Sequence, residues 1–336
     1  MARPLLAPAP SSPPAPAAAP SFSIVITAYE VAPYLGEAVR SALEQTLPAA
    51  DVVVVDDGSS DDVDGALAPY RDRITLVRQV NQGPGAAKLA GARAASGEFV
   101  SFLDGDDVYL PQRLEALAEA AAARPDLDVL QTDAWVESGG ERLRRVYDET
   151  WEFEVDDQRR GILTRCFVLG HAAARRALLV ALDGSDRTTL DDWECWIRLI
   201  LDGARAGCVQ EPLSVYRVRP GSLSTGRTSL YRRGTATLRK FEAEPGLSEA
   251  ERTALVQTRS EWSRLLTLEL ARDALHAGDR RAARPLLKRI VRSRGYDPRA
   301  RLKALISLLA PGVARRLLAE RAAKEWVGAG GMRVSR

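Results

Sequence analysis

The chain has 336 residues, 46% of them hydrophobic, and a formal net charge of +2. That length holds one large domain, or one domain with a helical appendage, and the composition is ordinary for a soluble globular protein. Its three cysteines, Cys166, Cys195 and Cys208, form no C-x-x-C pair, which excludes a cysteine zinc site and suits reduced thiols in a cytoplasmic protein.

Residues 1–20 are almost all Ala, Pro and Ser, with Arg3 the only charge. Such a segment buries too little apolar surface to offset its ordering entropy and is expected to be a disordered tail. Prolines interrupt every apolar run in it, unlike the core of a signal peptide. Further on, the longest apolar stretch, near residues 305–314, is about half the roughly 20 residues a bilayer requires, and Pro311 breaks it.

Strands and helices then alternate. Residues 23–27 are a β-branched run followed by a helical stretch over 31–45. A second strand at 51–55 ends in Asp56-Asp57-Gly58-Ser59. A third at 74–77 precedes a helix over 85–95, and a fourth at 98–103 ends in Asp104-Gly105-Asp106-Asp107. A helix over 114–123 leads to a fifth strand at 129–133. This rhythm implies right-handed βαβ units, and continuous apolar strands imply burial on both faces of a mainly parallel sheet. Gly139-Gly140 reads as a hairpin turn, residues 172–182 and 190–201 as helices, and 208–217 as an extended segment. After Arg227 the pattern is helical, with helices predicted at 249–277, 280–291, 299–309 and 313–326. Residues 271–291 are similar to one helix-turn-helix unit of the tetratricopeptide kind.

Charge divides along the same line. From Arg227 onward there are 25 Lys and Arg against 11 Asp and Glu, an excess of 14 that leaves the preceding part at −12. An acidic body with a basic tail region implies two functional surfaces.

In open α/β sheets ligands bind beyond the carboxyl ends of the strands, where both acidic clusters fall. Three carboxylates within residues 104–107 repel one another unless a cation or solvent relieves them, and hard divalent ions such as Mg²⁺ or Mn²⁺ prefer carboxylate and phosphate oxygens. Gly105 permits the tight turn between them. A solvated acidic turn is the competing reading. Asp56 and Asp57 suit a nucleobase and ribose, or an ordinary Asx turn. Asn81 to Lys88 opens a helix whose amides and Lys88 suit a diphosphate. Asp191 is placed to cap the helix that follows, which leaves Asp192 for proton abstraction. No G-x-G-x-x-G follows the first strand, which disfavours a dinucleotide-binding enzyme.

The segments SIVITAYEVAPYLGEAVRSALEQT, VVVVDDGSSDD, NQGPGAAKLAGARAASGEFVSFLDGDD, DDWECWIRL and EPLSVYRVRPGSLS, in this order, resemble the family 2 glycosyltransferases of GT-A fold. The resemblance covers roughly residues 21–224. It implies an α/β, Rossmann-like, mainly parallel sheet flanked by helices as a catalytic domain over 21–226. A basic all-α region over 227–327 and a flexible tail at 328–336 complete the expected organisation. It also implies a nucleotide-diphosphate-sugar donor bordered by Ala28 and Tyr29, with Asp56 and Asp57 on base and ribose. Asp104 and Asp106 match the D-x-D pair that holds Mn²⁺ or Mg²⁺ and the donor, with Gly105 between them. Asp192 matches the catalytic base of an inverting transfer. Asp107, His171, Asp191 and Trp193 are placed on the acceptor side. Two departures stand out. Lys88-Leu89 replace the family's frequent Arg-Asn, and Arg219 stands where relatives often have His, so Arg219 is expected to pair with the donor diphosphate.

The expected partners are the donor and a glycan, lipid-linked or small-molecule acceptor, with no nucleic acid. The basic helices suit an anionic membrane at the inner face of a cytoplasmic membrane, or a homodimer. A nucleotidyltransferase and a non-catalytic sugar-nucleotide binder are the alternatives. The first lacks its Gly-rich signature, and the intact Asp104, Asp106 and Asp192 speak against the second.

Overall fold

The structure, a computed structural model, describes residues 20–147, 153–154, 156–182, 192–219 and 226–310. The expected N-terminal tail up to residue 19, Asp191, the helix predicted at 313–326 and the tail at 328–336 lie outside the described residues. What is described divides into two compact units, one ending at Arg217 and the other beginning at Val218.

The first unit is built on a sheet of nine strands, β1 (Phe22–Ala28), β2 (Val52–Asp56), β3 (Thr75–Arg78), β4 (Phe99–Asp104), β5 (Val108–Tyr109), β6 (Val129–Ser138), β7 (Glu141–Arg145), β8 (Ala173–Arg175) and β9 (Ala206–Arg217). Its order is β3-β2-β1-β4-β8-β6-β9-β5, with β7 on β6. Strands β3, β2, β1 and β4 are parallel, as are β6 and β9, whereas β8 runs antiparallel to both β4 and β6. The sheet is therefore mixed where its second half begins. β1, β2 and β4 are buried almost throughout, because helices cover both faces as continuous apolar runs require. Helix α1 (Ala32–Leu43) turns Leu35, Ala38, Val39 and Ala42 into that core. Phe22 and Phe99 stack across adjacent strands with centroids 5.1 Å apart.

Helix α3 (Pro84–Ala94) approaches the sheet through Gly91. A Cβ there would lie 2.2 Å from a Val25 methyl and 3.1 Å from one of Val55. Gly91→Ala is therefore expected to destabilise the fold by about 1–3 kcal/mol through overpacking, read as a lower urea midpoint at unchanged m-value.

Residues 172–182 correct the sequence reading. The single helix predicted there is strand β8 followed by the short helix α6 (Arg176–Ala181). The alanines favour a helix locally, but β8 supplies backbone partners to β4 and β6 at once, and tertiary pairing overrides propensity. The two-residue strand β5 and the short helices α2 (Val63–Leu67) and α5 (Gln158–Thr164) were not legible either. The hairpin between β6 and β7 does turn on Gly139 and Gly140, with φ of 61° and 85°, a region favourable only to glycine. Helix α4 (Arg113–Ala123) joins β5 to β6, and α7 (Asp192–Leu201) precedes β9.

The second unit is helical: α8 (Arg227–Lys240), α9 (Glu249–His276), α10 (Arg280–Arg292) and α11 (Pro298–Leu309). Ser248 and Glu251 form a capping box at the start of α9, satisfying two orphan donors. Ala271, Leu275, Ala283, Leu287, Ile290 and Ala304 share a small core among α9, α10 and α11.

Candidate active site

Parallel register decides where the acidic clusters meet. Ala28 of β1 stands opposite Asp56 of β2, and Thr27 stands opposite Asp104 of β4. Both clusters thus flank the carboxyl end of one strand, about 10 Å apart across two strand spacings, although nearly fifty residues separate them in the chain.

The loop after β2 is a framework. The Asp56 carboxylate accepts the Ser59 N–H at 2.9 Å. Asp57 accepts from the Gln79 amide (2.7 Å) and from the backbone N–H of Gln82 (2.8 Å) and Gly83 (2.9 Å). Its carboxylate is therefore committed to the loop that leads into α3. Glu30, with φ of 54°, accepts the Ser60 N–H at 2.7 Å, and Asp61 accepts the Ala32 N–H at 2.7 Å to cap α1. These bonds fix the turn that follows β1, from which Tyr29 projects 51% exposed. Ala28 is buried, and its carbonyl accepts the Asp57 N–H.

Lys88 ties the other half of the site together. Its ammonium lies 2.6 Å from Asp192 Oδ1, 3.4 Å from Asp104 Oδ1 and 3.3 Å from the Gly170 carbonyl. Asp104 Oδ1 also accepts the Thr27 hydroxyl at 3.2 Å. The Lys88 side chain is 7% exposed, against 34% for Asp104 and 37% for Asp192. The cation therefore lies beneath two carboxylates that reach solvent. Burial pulls the lysine pKa down, but the Asp104 and Asp192 carboxylates outweigh it and hold it above its ordinary value. Burial pushes the Asp104 carboxyl up, while Lys88, His171 and the Thr27 hydroxyl bring it below the ordinary carboxylate value.

Two glycines make room for this arrangement. At Gly105 a Cβ would stand 2.8 Å from the Thr27 carbonyl, and at Gly170 it would stand 2.9 Å from Asp192 Oδ2. Gly170→Ala is expected to displace the Asp192 carboxylate and to lower turnover about tenfold or more, since small misplacements of reacting groups are costly. Donor binding, measured by calorimetry, should be unchanged.

Asp107 and His171 form a buried pair. His171 Nε2 is 2.6 Å from Asp107 Oδ2, and its Nδ1 is 3.2 Å from the Ser214 hydroxyl. Asp107 Oδ1 accepts the Arg217 N–H at 2.7 Å. Burial pushes Asp107 up to about 6 against the pull of His171, and Asp104 and Asp106 add to the rise. Beneath the pair, the fully buried Arg113 donates to the His171 carbonyl and to Thr132, and stacks on Tyr109 at 4.4 Å.

Three residues expected on the acceptor side have polar groups engaged within the fold. Asp107, His171 and Trp193 are all buried; the first two bond each other, and the Trp193 indole donates to the Ile162 carbonyl at 2.7 Å. The expected D-x-D pair, Asp104 and Asp106, lies at the end of β4 and on the turn after it. The described residues whose ligand atoms gather within 4.8 Å are Asp104, Asp107 and His171, and Asp106 of the same turn is not among them. Arg219 lies beyond Arg217, in the second unit. Sequence reasoning missed the bridging position of Lys88 and the need for glycine at 170; neither carries a local signal, because each depends on contacts across the fold.

The mixed, mostly parallel sheet flanked by helices, with carboxylates at its strand ends, is GT-A-like. Among solved structures, the mannosyltransferase PcManGT from Pyrobaculum calidifontis, in complex with GDP-Man and Mn²⁺, superposes with a TM-score of 0.57 at 19% identity, covering 98% of this chain and 91% of that one. S. aureus TarS in complex with UDP-GlcNAc gives 0.55 at 21% identity, covering 90% and 92%. Residues 23–182, just under half of the chain, match the Glycosyl transferase family 2 model, and that segment is similar in sequence to the family's domain. An uncharacterized glycosyltransferase of Nostoc sp. is 42% identical over 102 residues, 29% of this chain and 32% of that protein. The succinoglycan biosynthesis protein ExoO of Rhizobium meliloti is 38% identical over 130 residues, 36% of this chain and 37% of that protein. These matches span about a third of the relatives' length.

Proposed function

We propose that the chain transfers a sugar from a nucleoside-diphosphate-sugar donor to an acceptor hydroxyl, with inversion at the anomeric carbon. The observation that carries this reading is the shared Lys88. It lies 3.4 Å from Asp104, at the strand end where a donor binds in this fold class, and 2.6 Å from Asp192. A donor-side carboxylate and a candidate base thereby share one buried cation. The UDP-GlcNAc and GDP-Man complexes of the two structural relatives support the donor class, and the role of ExoO supports polysaccharide or glycoconjugate synthesis.

In the proposed reaction Asp192 takes the proton of the acceptor hydroxyl. The acceptor oxygen forms its bond to the anomeric carbon as the bond from that carbon to the diphosphate oxygen breaks. The nucleoside diphosphate leaves with the electron pair. Lys88 keeps Asp104 and Asp192 in register, and Asp57 holds the loop before α3 in place.

A divalent cation fits the donor set, because two carboxylates and an imidazole with ligand atoms within 4.8 Å suit Mn²⁺ in charge and softness. Asp104, Asp107 and His171 would hold it, and it would supply Lewis-acid stabilisation of the departing diphosphate. The Mn²⁺ in the PcManGT complex supports this choice.

The test is a thermal-shift screen of uridine, guanosine, adenosine and thymidine diphosphate sugars, each with Mn²⁺, Mg²⁺ or chelator. At least one donor should raise the melting temperature in a cation-dependent way and be slowly hydrolysed without acceptor. A screen in which no sugar nucleotide binds would overturn the reading.

A further inference from the structure

The second unit carries a surface that sugar transfer leaves unused. Helix α11 turns Ala304 into the small core of its unit, while the opposite side stays open. Leu302 is 57% exposed, Leu305 41%, Ile306 43% and Leu309 78%. These positions recur at i, i+3, i+4 and i+7, so at 100° per residue they form one continuous stripe about 100° wide. Arg299 and Lys303 follow on one flank of the stripe, and Arg301 on the other.

The charges around it are one-sided. Residues 279–310 contain ten Lys and Arg but only two acidic residues, Asp279 and Asp297. Both acids are spent as helix caps, accepting the N–H of Ala282 and Ala300. Among the described residues none of the ten cations forms an ion pair with a carboxylate.

We propose that α11 lies flat on an anionic lipid bilayer, with the Leu302, Leu305, Ile306 and Leu309 side chains at the acyl boundary and the flanking cations on the headgroups. Each half of the surface needs the other. Cations alone would be satisfied by water or by any polyanion, and a phosphate polymer gains nothing from four exposed large aliphatic side chains. The stripe alone would fit any apolar partner, but unbalanced positive charge beside it selects a surface that is apolar beneath an anionic layer. The helix lies on the membrane and does not span it. α11 has 12 residues, and no described helix is long and apolar enough to cross. This proposal stands apart from the sugar-transfer reading and survives its failure.

The experiment is co-sedimentation of the full chain with phosphatidylcholine vesicles, alone or with about one-third phosphatidylglycerol, at roughly 0.05 M and 0.5 M salt. Binding is expected to the anionic vesicles, about tenfold or more stronger than to neutral ones, and to weaken at high salt. The Leu302→Ser, Ile306→Ser, Leu309→Ser triple variant should lose about tenfold or more in vesicle affinity. Arg299→Gln with Lys303→Gln should lose a comparable amount, since each cation brought to an anionic surface strengthens binding by about fivefold. This second variant alters only surface charge and keeps the test decisive if the triple variant does not fold. Circular dichroism reports folding in both.

Vesicle binding unchanged in the triple variant would overturn the proposal. If that variant instead converts a dimer to a monomer by light scattering, the stripe is an interface between copies of this chain. If it lowers the melting temperature without altering vesicle affinity, the stripe is covered by residues 311–336. Tight binding to nucleic acid with none to anionic vesicles would also overturn it.

Discussion

Asp192→Asn is expected to reduce sugar transfer by about 10²–10⁴-fold, the range spanned by removal of a general base. The substitution preserves size and leaves an oxygen able to accept from Lys88, which lies 2.6 Å from the present carboxylate. What it removes is the capacity to take a proton. Steady-state kinetics should therefore show the loss in kcat, with the donor dissociation constant by calorimetry nearly unchanged, the pattern of an interaction used only in the transition state. Equal loss of donor affinity would make Asp192 a donor ligand. Unchanged kcat would remove it from the chemistry.

Lys88→Met is expected to cost about 100-fold in kcat/KM, equivalent to roughly 2.7 kcal/mol of transition-state stabilisation. Methionine fills the buried space of the aliphatic stem and takes away the charge. Asp104 and Asp192 then face each other without the cation that now lies between them. Removing one partner of a fully buried pair costs about 3–5 kcal/mol of stability. Here both carboxylates are more than a third exposed, and screening reduces the expected loss to about 1–2 kcal/mol. Urea unfolding measures that part and kinetics the other. Lys88→Arg, which keeps the charge but needs room for a planar fork, should recover part of the activity. A Met variant with wild-type kinetics would remove Lys88 from the site.

The two halves of the site differ in how they are written in the chain. The carboxylates announce themselves, because Asp56, Asp57 and Asp104 directly follow or close β-branched and aromatic runs that can only be buried strands, and parallel strands present their carboxyl ends together. The supporting groups do not. Lys88 follows a Gly-Pro turn on a helix of small residues, where a solvated lysine is the plainer expectation; only the meeting of α3, α7 and the loop at Gly170 makes it a buried bridge. The buried pairing of His171 with Asp107 is a second such case. Nothing within a few residues of either shows that β9 and Arg217 close over them.

By itself, the sequence determined the order of elements, the burial of β1, β2 and β4, the placement of acidic residues at strand ends, and the change to basic helices after the sheet. All of these follow from periodicity, turn residues and charge, which act between near neighbours along the chain. Only the tertiary structure decided that residues 173–175 form a strand, that Asp57 is spent on a loop, that Lys88 couples Asp104 to Asp192, and that α11 keeps an apolar stripe facing outward. Those outcomes depend on which distant segments compete for the same backbone partner, cation or core space, and that competition is settled when the sheet assembles.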